Sequence, residues 1–391
     1  MSMDSSKKLN WDSTRLTALG GIFTASEIEQ QPALWLKVAE LLASQNEKLA
    51  AFLDPLLSRR ELRIILTGAG SSAFIGKCLS PVMQKKLKRR IEAIPTTDLV
   101  SGPQCFFQAD VPTLLVSFAR SGSSPESLAA VDLANQLCPD IYHLVITCNE
   151  QGMLYRRSAS RNAMVILLPD ETHDRGFAMT SSYTSMLLSA ALAFGVIDPA
   201  PMKMSALHDA GRDILRRALP LLADLVAGNF ERVVYLGSNE LLGLAEESAL
   251  KLLELTDGRV VATFNSPLGF RHGPKTIVNP ETLIILFLSN DPYTRQYDLD
   301  LLKELEGDGK AARIIAIGAK NDLTESADYF VVPQLKNASD LELAVTLVVF
   351  AQIFSFYQSL ALGITPDTPS VSGTVNRVVQ GVNIYPLVNG A

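Results

Sequence analysis

The 391-residue sequence is poor in several things, and each shortage narrows what the chain can be. Only 19% of its residues are charged, yet no run of about 18 apolar residues goes uninterrupted, so no segment reads as crossing a membrane. The start, MSMDSSKKLNWDS, lacks the basic-then-apolar order of a secretory signal, and a cytoplasmic location follows. The four cysteines, Cys78, Cys105, Cys138 and Cys148, form no CxxC pair and have no neighbouring histidines. That excludes a zinc site of the usual spacing and a disulfide framework; they read as small core residues in a reducing compartment. Positive charge is also short. The net charge is −6, and the one dense basic run, KKLKRR (85–90), ends a helix without interleaved aromatics, which fits a solvated helix end rather than a nucleic-acid surface. No Walker GK[ST] and no GxGxxG occurs after a strand, so nucleotides and dinucleotides are disfavoured.

Apolar residues, in contrast, make up 47% of the chain. At about 150 residues per domain the length points to two or three domains. Two segments share one order, a short β-branched run, a glycine turn and an amphipathic helix: RIILTGAGSSAFIG (63–76) and RVVYLGSNELLGLAEESALKLLEL (232–255). After the first come strand candidates at 91–95, 113–119, 142–147 and 163–169; after the second come others at 260–264, 282–288, 313–318 and 328–333. Apolar strands spaced by helix-length intervals predict α/β architecture with two doubly wound parallel sheets of the flavodoxin-like kind. The expected divisions are an N-terminal helical segment 1–54 (helix about 33–53), a first domain 55–200, a linker helix within 201–228, a second domain 229–365 and a Pro/Gly/Ser-rich tail 366–391 that lies along the surface or over a site.

Serines cluster where a parallel sheet collects ligands, at the carboxyl ends of strands. GAGSS (68–72) brings Ser71 and Ser72; RSGSS (120–124) brings Arg120, Ser121, Ser123 and Ser124, with Pro125 and Glu126 suited to the first turn of the next helix. One serine per turn is explained as an N-cap. So many hydroxyls beside glycines that let the backbone approach closely point instead to a nest for a tetrahedral oxyanion, hence a small phosphorylated metabolite. A third cluster, TSSYTS (180–185) with Thr180 and Ser181, is explained equally well by capping.

On the helix 240–255, Leu241, Leu242, Ala245, Ala249, Leu252 and Leu253 cover one face, while Glu247, Lys251 and Glu254 follow at i, i+4 and i+7 on the other. Two readings stay open for that stripe. It is either a solvated ion pair of a few tenths of a kcal/mol, or a carboxylate placed to move protons with a lysine to tune it. His272, one of four histidines, sits in a Gly/Pro turn of FNSPLGFRHGPK (264–275) and suits proton transfer between oxygens near neutral pH.

These pieces in this order, GAGSS, SFARSGSSPES, EESALKLLE and RHGP, resemble the sugar isomerase (SIS) domain present twice, as in the isomerase half of glucosamine-6-phosphate synthase. The stretch DRGFAMTSSYTSMLL and the tail PDTPSVSGTVNRVVQGVNIYP look like the AgaS-type group, the galactosamine-6-phosphate deaminases or tagatose-6-phosphate ketose/aldose isomerases. The resemblance implies that Ser72, Arg120, Ser121 and Ser124 grip the sugar phosphate, with Thr180 and Ser181 approaching it. It implies that Glu254 shuttles a proton between C1 and C2, that Glu247 and Lys251 are its polar partners, and that His272 opens the sugar ring of a neighbouring subunit in a homodimer or homotetramer. The synthase has a glutaminase domain and a tail lysine; before residue 55 there is no room for the former, and no lysine follows Lys336. Arg377 cannot replace that lysine as a nucleophile, because it stays protonated.

The expected activity is therefore conversion of galactosamine 6-phosphate and water to tagatose 6-phosphate and ammonia, without metal or other cofactor. Two alternatives are a ketose/aldose isomerisation of a hexose phosphate without deamination, and a non-catalytic sugar-phosphate sensor. A sensor would need a helix-turn-helix with a basic recognition helix, and neither the first 55 residues nor the linker helix shows one. No nucleic acid or membrane partner is expected.

Overall fold

The computed structural model describes residues 6–157, 162–323, 328–379 and 381–388. The apolar runs form two five-stranded sheets. The first holds β1 (Arg63–Thr67), β2 (Ile91–Ala93), β3 (Thr113–Ala119), β4 (Ile141–Thr147) and β5 (Ala163–Leu167), in the order β2-β1-β3-β4-β5. The second holds β6 (Arg232–Leu236), β7 (Val261–Asn265), β8 (Thr282–Phe287), β9 (Arg313–Gly318) and β10 (Asp328–Val331), in the order β7-β6-β8-β9-β10. All these pairings are parallel, in register Leu66↔Val116 at the centre of the first sheet and Ile285↔Tyr235 at the centre of the second. The central strands are buried along their whole length because helices cover both faces, which is why they read as continuous rather than alternating apolar runs. In each sheet the winding reverses between the first and third strands, so a crevice opens at the carboxyl ends of β1 and β3, and of β6 and β8.

The principal helices are α1 (Ile22–Ser44), α2 (Ser71–Leu87), α3 (Pro125–Leu137), α4 (Ser181–Ala193), α5 (Pro201–Ala227), α6 (Glu240–Leu255), α7 (Pro292–Asp308) and α8 (Asp340–Ala361). Between the two sheets α8 packs on α5 and α6, α6 on α2, and α1 on α4 and α5. α8 is apolar on all sides and nearly every residue from Asp340 to Ser359 is buried, so it acts as a shared core helix. By length and composition it could cross a membrane, but 94% of its apolar window is buried inside the protein. A capping box between Ser339 and Glu342 fixes its start.

Two local expectations need correcting, the start of the N-terminal helices and the burial of Cys105. The N-terminal helical region starts earlier than residue 33, with a short helix Ser13–Ala18 ahead of Ile22–Ser44, and is split at Gln45 before a further helix Asn46–Leu57. The linker helix starts at Pro201, whose fixed φ suits a first helical position, and it buries Leu207, Ile214, Leu222 and Leu225 as part of the core. Cys78, Cys138 and Cys148 are buried and free, whereas Cys105 is exposed, against its expected core role. The basic run behaves as a helix end: Lys88 closes α2 in the left-handed region, Arg89 donates to the Leu57 and Arg59 carbonyls, and Arg90 pairs with Glu92.

Candidate active site

Two turns build the N-terminal part of the site. Gly68 follows β1, and a Cβ there would lie 2.5 Å from the Ser72 Cβ, so only glycine allows the strand to turn straight into α2. Gly70 caps α2 at φ 56°, leaving Ser71 and Ser72 buried in the first turn. After β3, Gly122 takes φ 64° and Ser124 caps α3 with Pro125 at the first helical position. Here the hydroxyls are partly engaged. Ser121 Oγ accepts from the Ser123 N–H at 3.4 Å, Ser123 Oγ accepts from the Met153 N–H at 3.2 Å, and the Ser124 and Ser127 hydroxyls meet at 2.6 Å.

Helices α2 and α6 run antiparallel in close contact. A Cβ on Gly243 would lie 2.6 Å from Cys78 Sγ, Lys77 pairs with Glu246 at 2.6 Å, and a Cβ on Gly70 would touch Leu250 at 3.8 Å. The start of α2 therefore faces the end of α6. Glu254 follows one turn beyond Leu250, which Gly70 faces.

This packing also resolves the polar stripe of α6. Glu247 and Lys251 have no exposed surface, so the solvated ion pair is excluded; Glu254 is 24% exposed at its side chain. Lys251 Nζ lies 2.5 Å from Glu254 Oε2 and 3.5 Å from Glu247 Oε1. Burial opposes the lysine charge, but the two carboxylates outweigh it and hold its pKa above the ordinary value. Burial pushes Glu247 up to about 8, with Glu254 adding to the rise and Lys251 and Ser71 opposing it. One ammonium cannot neutralise two carboxylates; near pH 7 it pairs with Glu254, and the more deeply buried Glu247 keeps its proton.

A cavity of about 510 Å³ opens beside Glu254, lined by Leu250, Leu253, Phe177 and the tail residues Ser370, Ser372 and Val375. The tail thus passes over the cavity and closes one side of it. Arg120 holds it there: its guanidinium, only 7% exposed, donates to the Phe177 carbonyl at 2.9 Å and the Arg377 carbonyl at 2.8 Å. Arg377 donates in turn to the carbonyls of Gly176 and Asp174. Two guanidinium groups therefore lie close together, and burial followed by the charge of Arg120 presses the pKa of Arg377 below its ordinary value.

Not every candidate converges. Thr180 and Ser181 are fully buried and give their hydroxyls to Asp174, which also accepts the Thr180, Ser181 and Ser182 amides. Capping thus accounts for the third serine cluster, with Asp174 as the cap. His272 is exposed and does not line the cavity that holds Glu254. Phe177, Asp174 and the tail contacts of Arg120 were not legible beforehand. Asp174 stands seven positions before the first residue of the helix it caps, a spacing that no capping rule covers.

The SIS domain family matches residues 56–195, which hold both serine turns. D-galactosamine-6-phosphate deaminase AgaS of Escherichia coli O157:H7 is 48% identical over 380 residues, spanning 95% of this chain and 98% of its own. The chain belongs to the AgaS family. A second member, D-galactosamine-6-phosphate deaminase AgaS of Shewanella sp. (strain ANA-3), is 45% identical, over 96% of this chain and 94% of its own. Among solved structures, tagatose-6-phosphate ketose/aldose isomerase from Escherichia coli superposes with a TM-score of 0.86 at 46% identity, covering 94% of this chain and 97% of that one. AgaS family membership covers both sheets and the tail, so the juxtaposition of α2 and α6 and the strap over Glu254 belong to the whole chain rather than to the part matched by the SIS domain.

Proposed function

We propose that this protein is a deaminating aldose-ketose isomerase that converts galactosamine 6-phosphate and water to tagatose 6-phosphate and ammonia. The observation that carries the proposal is the position of Glu254 beside a sugar-sized cavity and a buried ammonium, one turn beyond the Leu250 that Gly70 of the first serine turn faces. The turns with Ser71, Ser72, Ser121, Ser123 and Ser124 are the anion site, because glycine-bearing turns at helix starts present N–H groups to a phosphate. Arg120 orders the tail that closes the cavity, and Arg377 adds positive potential behind the phosphate.

With the phosphate fixed, ring opening exposes the C1 aldehyde next to the amine-bearing C2. His272 carries the proton between ring oxygen and O1, and its exposure fits delivery from a neighbouring subunit. Glu254 removes the C2 proton and an enolamine forms as O1 gains a proton; returning the proton to C1 leaves an iminium at C2. Water adds to C2, the C–N bond breaks, and ammonia leaves with the ketose behind. The substrate's own amine supplies the imine nitrogen, so no tail lysine is required. Lys251 pairs with Glu254 from the buried side of α6. Relatives named for deamination and for ketose/aldose isomerisation fit one site, since the C1–C2 proton shift is common to both.

The test is free ammonia released from galactosamine, glucosamine and N-acetylgalactosamine 6-phosphates. Ammonia from the first supports deamination; tagatose 6-phosphate interconverting with its aldose, with no ammonia from any amine, favours simple isomerisation. Shared sites are tested by remixing subunits of H272N and E254Q variants. In a dimer with His272 in trans, random remixing restores about a quarter of the sites, whereas a site complete within one chain restores none.

A further inference from the structure

The tail segment that covers the cavity beside Glu254 is held at two points, Asp367 and Arg377, and both lead back to α1. At the first point Asp367 caps that helix from far along the chain. It accepts the Thr24 N–H at 2.8 Å, the Thr24 hydroxyl at 2.7 Å and the Phe23 N–H at 3.2 Å, where Gly21 at the cap position has no side chain to do so. Between the two points Ser370, Ser372, Thr374 and Val375 line the cavity.

Arg377 reaches α1 through the loop 174–177. The Asp174 carbonyl accepts from Arg377, the Gly176 carbonyl from Arg377 at 3.2 Å and Arg120 at 3.4 Å, and the Phe177 carbonyl from Arg120 at 2.9 Å. The loop's amides go to α1 instead: the Arg175 N–H donates to Glu27 Oε1 at 2.5 Å, and the Gly176 N–H to both Glu27 oxygens at 3.2 Å. The fit is close, since a Cβ on Gly176 would lie 2.8 Å from Thr24 Oγ1 and 2.9 Å from Glu27 Oε2. The Asp174 carbonyl and the Arg175 N–H belong to one peptide unit. Its dipole therefore has the Glu27 carboxylate at the N–H end and the Arg377 guanidinium at the carbonyl end, the sense that both charges favour.

Glu27 is 6% exposed and does not line the cavity beside Glu254. Its charge is nonetheless felt at Arg377. Burial and then Arg120 hold that guanidinium below its ordinary value, while Asp174 and Glu27 act against the fall. Asp174 already receives the amides at the start of α4. The charges acting on or near Glu27 are those of Asp174, Asp367 and Arg377, and the Arg175 guanidinium lies over the Phe23 ring at 4.0 Å. Burial, with Asp174 adding to it, pushes Glu27 up to about 7 against the pull of the two amides.

We propose that Glu27 is a positioning residue of the active site: acting through the peptides of 174–177, its carboxylate holds Arg120 and Arg377 together and so fixes the tail over the cavity beside Glu254. Without that charge the two guanidinium groups repel each other with less to offset them, and the tail loosens at Arg377. Glu254 and Lys251 lie outside this network, so the loss falls on substrate retention and not on proton transfer.

The test uses the full chain at about pH 8.5, above the Glu27 value of about 7, so that the wild-type carboxylate is ionised. Limited trypsin digestion read by mass spectrometry reports on the tail without any substrate. Cleavage after Arg377 should run at least about tenfold faster in E27Q, with the other sites cut at the wild-type rate. The kinetic arm rests on the reaction proposed above: E27Q should raise KM for galactosamine 6-phosphate about tenfold and leave kcat within about twofold. R377M should raise KM at least as much, with no further rise when E27Q is added to it. Wild-type cleavage after Arg377 in E27Q, an unchanged KM, a lower kcat at constant KM, or KM effects that multiply in the double variant would each overturn the proposal. Faster cleavage together with no turnover by the wild type would uphold the role of Glu27 in placing the tail and remove the reaction instead. D367N alters the half-exposed end of the same segment and should raise KM and speed the same cut; should E27Q fail to fold, wild-type behaviour of D367N is the overturning result.

Discussion

The Lys251 ammonium, wholly enclosed, stands 2.5 Å from the Glu254 carboxylate one turn along the same face of α6. An enclosed cation stabilises an ionised carboxylate far more than a solvated one does, and this carboxylate is the only member of the trio with side-chain exposure. E254Q keeps the shape and removes the base. Ammonia release should fall by about 10²- to 10⁴-fold in kcat with the thermal unfolding midpoint nearly unchanged. Activity close to wild type would remove Glu254 from proton transfer.

The second carboxylate of the trio gives a pH signature. The folded protein holds a proton on Glu247 up to about pH 8, whereas the unfolded chain releases it near the ordinary value of 4.5. A raised carboxylate pKa means that the folded state binds more protons in between, so this contribution to stability is present at low pH and is lost as pH rises from about 5 to 8. E247Q is neutral throughout. Its unfolding midpoint should gain on wild type steadily across that interval, and parallel profiles would show that Glu247 does not carry the proton.

Close approach of α2 and α6 depends on Gly243. A Cβ there would meet both the Sγ and the backbone nitrogen of Cys78, at 2.6 and 2.7 Å. Alanine is the better helix former, but the clash involves backbone and cannot be relieved by a rotamer change. G243A should cost about 1–3 kcal/mol and lower kcat by shifting Glu254 and α6 against α2, and trimming Cys78 to alanine should not restore either. Urea unfolding and ammonia release measure the two effects.

Asp174 accepts from the amides and hydroxyls of Thr180, Ser181 and Ser182 and has no exposed surface. Replacing it with alanine strands three amides and three hydroxyls in the core. The expected loss in urea unfolding is at least about 3 kcal/mol, with D174N intermediate because its one carbonyl oxygen still accepts. A smaller loss in D174A would mean that water reaches the start of α4.

Much of this protein could be read from one chain of letters. Strands β3 and β9 begin and end where β-branched and aliphatic runs do, and the glycines at 68, 70 and 122 stand where strand must turn into helix. The α6 stripe was visible as a spacing but not as a choice. Glu247, Lys251 and Glu254 would show the same i, i+4, i+7 pattern on a solvated helix.

What sequence alone determined is therefore local: periodicity, turn chemistry and the repetition of one strand-turn-helix unit, because these depend on neighbours along the chain. The tertiary structure decided which hydroxyls are free and which are held, since Asp174 takes those of Thr180 and Ser181 through a six-residue loop that no spacing rule describes. It also decided that the polar face of α6 is buried, because Gly243 and Cys78, far apart in the chain, let two helices touch and shut water out.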